Sequence, residues 1–185
     1  MNDQIKKIID EVSNRRVYES LDAKTLSAIA DDKLELAIID FVDARLAGRG
    51  ADDDETQVLA SLPAGMRALY LTWAVESEVI NGGFLRYYWS WMGKFAAEAV
   101  TAFEFFSAHK HAHLMREANR AHAEEIASAG TQKDQDAAEI HFSTRLNVLE
   151  DRFYKLDESL SSLRIAKVRA DPGAFSTVRA PLPPR

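Results

Sequence analysis

The chain reads as an all-α protein, a single-domain multi-helix bundle followed by a short extended C-terminal tail. Nearly every segment repeats its apolar residues at three- and four-residue intervals, and no run alternates as a half-buried strand would. At 185 residues with 46% hydrophobic content, the chain is long enough to bury one proper core. The helical domain is assigned to residues 1–175 and the tail to 176–185.

In residues 3–19, Ile5, Ile8, Ile9 and Val12 share one face, with Lys6, Lys7, Asp10 and Glu11 outside. Asp22 can cap a short helix through Leu26 and Ile29. A stronger helix spans about 32–47, where Leu34, Ile38, Phe41, Val42 and Leu46 form the inward stripe and Asp40 and Asp43 face water. Gly48-Arg49-Gly50 stops it. The acids of 51–55 then sit at the front of a helix over 54–61, where they suit its dipole. Pro63 fits the first turn of the next helix, which carries Met66, Tyr70, Trp73, Ser77 and Ile80 to about residue 80.

Asn81-Gly82-Gly83 follows, a joint at which the chain can reverse sharply because these residues tolerate positive φ. A short aromatic helix ends near Gly93. Residues 94–107 turn Phe95, Ala99, Phe103 and Phe106 inward, residues 112–127 form an Ala-rich helix, and 130–134 is a surface connection. From Phe142 to Leu163, apolar residues step alternately by four and three through Leu146, Leu149, Phe153, Leu156 and Leu160. That rhythm suits a coiled-coil seam or packing inside the domain, and the lack of tidy flanking charges favours the second. Periodicity fades from Asp171-Pro172, and the prolines of 176–185 suit an extended tail.

Charge narrows the function. Residues 1–160 hold 28 acids and 18 bases, whereas 161–185 hold one acid and five bases. An acidic body argues against direct binding to DNA or RNA, which needs a basic footprint. No apolar run approaches the roughly 20 residues that span a bilayer, and the N-terminus lacks the apolar stretch of a signal peptide. There is no cysteine, hence no disulfide and no thiolate metal site. The expected location is the cytoplasm.

Catalytic signatures are missing. Asn81-Gly82-Gly83 lacks the Lys and Ser/Thr of a phosphate loop and the preceding strand of a dinucleotide fingerprint. Glu76 and Glu78, two apart on a helix, point in different directions; one can pair with Arg86 across the joint and the other is expected in solvent. His109 and His113 share a face at the spacing of a metal-binding pair, but no glutamate follows His109 as a metallohydrolase requires. No nucleophile motif or triad is recognisable. The reading is therefore no catalytic residue, no cofactor and no metal. The set Phe84, Tyr87, Tyr88, Trp89 and Trp91 is too dense for one buried helix face, so part of it should line a groove or an interface.

The helix bearing Leu69-Tyr70 and Glu78, the Asn81-Gly82-Gly83-Phe84 joint, the pair Tyr87-Tyr88, Gly93, Phe153-Tyr154 and the closing Asp171-Pro172-Gly173-Ala174-Phe175 together resemble the all-helical family that contains DNA-mimic proteins. The likeness covers about 60–175. The family usually carries Gln where this chain has Arg86 and Asn where it has Ser90, so a pocket built on those amides would be altered here.

The resemblance implies an all-α binding protein whose surface carboxylates stand in for DNA phosphates on a basic transcription regulator or nucleoid protein. The richest acidic stretch, 22–55, supplies Asp31, Asp32, Glu35, Asp40, Asp43, Asp52, Asp53, Asp54 and Glu55 as the partner-binding set. Two other readings stay open: an immunity or accessory module binding through 84–91, and a metal-dependent enzyme built on His109 and His113. Both monomer and homodimer are compatible with the sequence.

Overall fold

The computed structural model describes residues 16–48, 54–129 and 145–177. Those residues form helices α1 (Ala23–Ala28), α2 (Asp31–Ala47), α3 (Glu55–Ser61), α4 (Ala64–Trp89), α5 (Ala96–Phe105) and α6 (His109–Ala129), then α7 over 145–153 and α8 (Leu160–Ala170). Short 3-10 turns, Trp91–Phe95 and Pro172–Phe175, follow α4 and α8, and no strand occurs among the described residues. The fold is all-α, as the periodicity predicts. No described helix is long and apolar enough to cross a membrane.

Local chemistry sets most boundaries. The Asp22 carboxylate accepts the Thr25 N–H at 2.7 Å and starts α1, and Asp54 does the same for α3 through Thr56. Gly48 ends α2. The stripe of α2 (Leu34, Ile38, Phe41, Val42, Leu46) is buried. It faces α4, the long central helix, whose Met66, Leu69, Val75 and Val79 complete that side of the core. α5 packs between α4 and α6, and α8 against α2.

Three places sharpen the sequence expectations. As expected, the helix that starts at Ala64 is interrupted at the Asn81-Gly82-Gly83 joint, where Gly82 and Gly83 leave helical geometry, and a short aromatic helical segment follows, reaching Trp89; the two are numbered together as α4. α6 begins at His109, so the histidine cluster lies on its first turns and not on a connection. The four-three rhythm is shared by two helices, because the chain leaves helical geometry between α7 and α8. There Ser159 caps α8 and the Glu158 carboxylate accepts the backbone N–H groups of Lys110 and His111 at 3.3 and 3.1 Å. Leu146, Leu149, Phe153 and Leu160 are nevertheless buried inside the domain.

Thr177 closes the described chain by donating its N–H to the Leu21 carbonyl and accepting the Leu21 N–H on its hydroxyl. Of the helical segment expected over residues 3–19, residues 16–19 are described and are not helical; its residues 3–15, Asp52 and Asp53, the 130–134 connection, Phe142 and tail residues 178–185 lie outside the described residues.

Candidate functional site

The kink in α4 gathers residues that are far apart in the sequence. Gly83 has φ +79°, a conformation only glycine adopts without strain. A Cβ there would come within 2.0 Å of Glu150 Oε2, so the α7 carboxylate occupies the space a side chain would need. The carbonyl of Val79, whose regular helical donor is the Gly83 N–H, accepts a hydrogen bond from Tyr154 Oη at 2.8 Å. That hydroxyl is also 3.2 Å from Glu150 Oε1. Phe84 meets Phe153 edge-on, with ring centroids 5.9 Å apart. Glu150, Phe153 and Tyr154 thus buttress the joint from α7.

The outer side is spanned by an ion pair. Arg86 Nε lies 2.6 Å from Glu78 Oε2, eight residues away along the kinked helix. Gly82 makes room for it, since a Cβ there would sit 2.6 Å from Arg86 Cδ. Ser90 Oγ donates to the Tyr87 carbonyl at 2.8 Å and accepts the Met92 N–H at 3.2 Å, capping the following turn. Arg86 and Ser90, the two departures from the resembled pattern, line one open cleft of about 540 Å³ together with Glu78, Gly82, Leu85 and Trp89. Asn81 is exposed. Phe84 and Tyr87 are buried, and Tyr88 stacks on His122 while donating to Asn119. Trp89 is 70% exposed and Trp91 41%.

The acidic set divides by environment. Asp31 is exposed and lies 2.6 Å from Arg169. Asp32 is exposed, with Lys33 at 3.7 Å. Asp43 accepts the Tyr70 hydroxyl at 2.8 Å, and that bond, added to burial, pushes the phenol pKa up. Asp54 is 3.1 Å and Glu55 3.7 Å from Lys94. The Thr56 N–H, with Lys94, holds the Asp54 carboxyl down at about 2. Asp40 is half-buried.

Glu35 behaves differently. It is mostly buried and lies 2.6 Å from Nε of Arg164, a guanidinium only 1% exposed. Arg164 also pairs with Glu76 and donates to Thr72 Oγ1 at 3.4 Å. Of the two glutamates before the joint, Glu78 is the one that takes Arg86, and Glu76, the other, is not in solvent but partners a buried charge. The sequence does carry a trace of Arg164: it sits between Leu160 and Val168 at four-residue spacing, all three buried, which puts a charged residue in the apolar stripe.

With this geometry in place, comparison with known families gives one match, to the DMP19-like protein family over residues 60–170. That is well over half of the chain. The chain belongs to the DMP19-like protein family. No curated protein and no solved structure is significantly similar to it. The matched span of this DMP19-like chain contains the joint, its α7 buttress and Arg164, whereas α2 and its carboxylates lie before it.

Among the histidines of this DMP19-like chain, His109 and His113 are exposed, and His113 pairs with Glu117 at 2.8 Å. His111 is buried, with Nδ1 2.6 Å from Glu158 and its ring against Phe103 and Phe153. Among the described residues no three or more His, Asp or Glu side chains are grouped to hold a metal ion.

Proposed function

We propose that this protein is a non-enzymatic, acidic binding protein of the DNA-mimic kind, acting in the cytoplasm on the DNA-binding surface of a basic transcription regulator or nucleoid protein. Membership of the DMP19-like family is the observation that carries the reading. The docking carboxylates are Asp31, Asp32, Asp40 and Asp43 of α2 with Asp52, Asp53, Asp54 and Glu55 after it. Glu35, paired with the buried Arg164, is held by the fold and is left out of the docking set. An exposed pair such as Asp32–Lys33 is worth about 0–1 kcal/mol, so a partner's arginine or lysine can replace the internal base. The test is competition. A partner captured on the chain should bind either the chain or duplex DNA, never both. Reversal of Asp31, Asp32, Asp43 and Asp54 to Lys should abolish capture, whereas undiminished capture by that variant would reject the reading.

One observation favours a second reading. Trp89 stands 70% exposed on the rim of the joint cleft, as an interface anchor would. A partner held there, as by an immunity or accessory module, would resist salt and be lost on Trp89→Ala.

A further inference from the structure

Three asparagines occur among the described residues, Asn81, Asn119 and Asn147, and only Asn81 precedes a glycine. Their surroundings differ. Asn119 is half-buried and engaged at both ends: its Oδ1 accepts the Tyr88 hydroxyl and its Nδ2 donates to the Ala96 carbonyl, each at 2.8 Å. It is followed by Arg120 in the middle of α6. Asn147 is exposed on α7, and its successor is the β-branched Val148. Asn81 is exposed, with its amide held by one bond, donated to Ser77 Oγ at 3.4 Å, which is long for a hydrogen bond. Its successor, Gly82, is exposed and has left helical geometry. We propose that Asn81 is a site of spontaneous deamidation in the folded protein, through a succinimide closed by the Gly82 backbone nitrogen.

The chemistry needs only base and water. Hydroxide removes the Gly82 amide proton, the nitrogen bonds to Asn81 Cγ, and the side-chain nitrogen leaves as ammonia, closing a five-membered ring. Water then opens that ring. Breaking the bond between the Gly82 nitrogen and Cγ yields aspartate. Breaking its bond to the main-chain carbonyl carbon yields isoaspartate, in which the chain runs through the side-chain methylene. Two features of the joint favour closure. Gly82 has no Cβ to obstruct the approach. Closure also requires the Asn81 backbone to leave its helical ψ. Beside a break in the helix that rotation disturbs few hydrogen bonds, whereas at Asn119 it would open the middle of α6. Either product sets a new carboxylate one turn from Glu78, the partner of Arg86, where like charges repel. Isoaspartate also lengthens the main chain by one methylene beside the kink that Glu150 and Tyr154 support. Deamidation at Asn81 therefore loosens the aromatic segment 84–89.

The test is to age the full-length protein at pH 8.5 and 37 °C, then digest it with trypsin at mildly acidic pH. Peptide 68–86, released by cleavage after Arg67 and Arg86, should gain one mass unit and show isoaspartate fragment ions, faster as the ageing pH rises. The peptides carrying Asn119 and Asn147 should stay unmodified over the same period. Gly82→Ala, whose Cβ meets only the flexible Arg86 stem, should slow the reaction at least about tenfold, with circular dichroism to verify its fold. Amide hydrogen exchange over 84–89 should quicken in the aged wild type and not in the aged variant. An unmodified peptide 68–86, modification of Asn119 or Asn147 as fast as that of Asn81, or a rate indifferent to Gly82→Ala would overturn the site. Unchanged exchange in fully deamidated protein would overturn its effect on the joint.

Discussion

The joint at Gly82-Gly83 and the acidic face led by α2 are both rich in carboxylates but use them differently. At the joint, Glu150 fills the space beside Gly83 and Glu78 spans the kink to Arg86, so charge holds backbone geometry. On the acidic face Asp31, Asp32 and Asp54 are exposed, paired with the half-buried Arg169 and with the exposed Lys33 and Lys94 respectively. Glu35 turns inward, to a guanidinium that is itself buried. Exposed pairs are worth little and are screened by salt, whereas removing one partner of a buried pair strands a charge. A carboxylate can therefore be offered to another molecule only where its internal tie is weak. By that criterion the outer aspartates are available, and Glu35, Glu76 and Glu150 belong to the fold.

Substitutions can break or sharpen this contrast. The largest effect should come from Arg164→Ala, which strands Glu35 and Glu76 and should cost about 3–5 kcal/mol in denaturant unfolding. Arg164→Met with Glu35→Leu and Glu76→Leu should recover most of it. Next comes Gly83→Ala at about 2 kcal/mol, from positive φ and displacement of Glu150. Gly82→Ala should cost less than about 1 kcal/mol beyond the helix-propensity change, because its Cβ meets only the flexible Arg86 stem. Tyr154→Phe should lose about 1 kcal/mol by leaving the Val79 carbonyl without its side-chain donor.

A pH dependence should accompany these effects. Burial lowers the pKa of His111 below its ordinary 6.5, against the opposing hydrogen bond to Glu158. The unfolded chain then takes up a proton that the folded one resists. Stability is complete above about pH 6.5 and falls as pH drops toward the folded value. Glu158, also lowered because the hydrogen bonds from His111, its N–H and that of Lys110 outweigh burial, adds a loss of the same sign further into the acid range. Melting between pH 7.5 and 5.5 should show the decline, and His111→Leu should flatten it. The smallest stability effect should be that of Asp32→Asn, within about 0.5 kcal/mol. The same substitution should still weaken partner capture.

Local signals made much of the fold legible. The stripe of α2, the caps Asp22 and Asp54 and the stop at Gly48 all depend on residues within one turn of each other, and each can be read from the sequence. What escaped depends on distant partners. Gly82-Gly83 reads as a joint between two helices, but nothing nearby reveals that Glu150 and Tyr154, some seventy residues on, support it. Glu76 and Glu78 read as one partner for Arg86 and one solvated acid, because Arg164, the partner of Glu76, lies 88 residues away. The four-three rhythm through Leu160 marks burial correctly. It could not register that Glu158 is drawn off to the first turn of α6, which breaks the helix. The acidic residues were legible as charges, but which of them the fold had already claimed was not.

The most direct measurement is competition binding with a partner captured from the native lysate. Labelled duplex DNA is bound to the partner and titrated with the wild-type chain, with the Asp31, Asp32, Asp43 and Asp54→Lys variant, and with Trp89→Ala. The acidic-face account predicts that wild type and Trp89→Ala both displace the DNA, more weakly as salt rises, and that the charge-reversed variant does not. Displacement that survives charge reversal, or that fails only in Trp89→Ala, would contradict it.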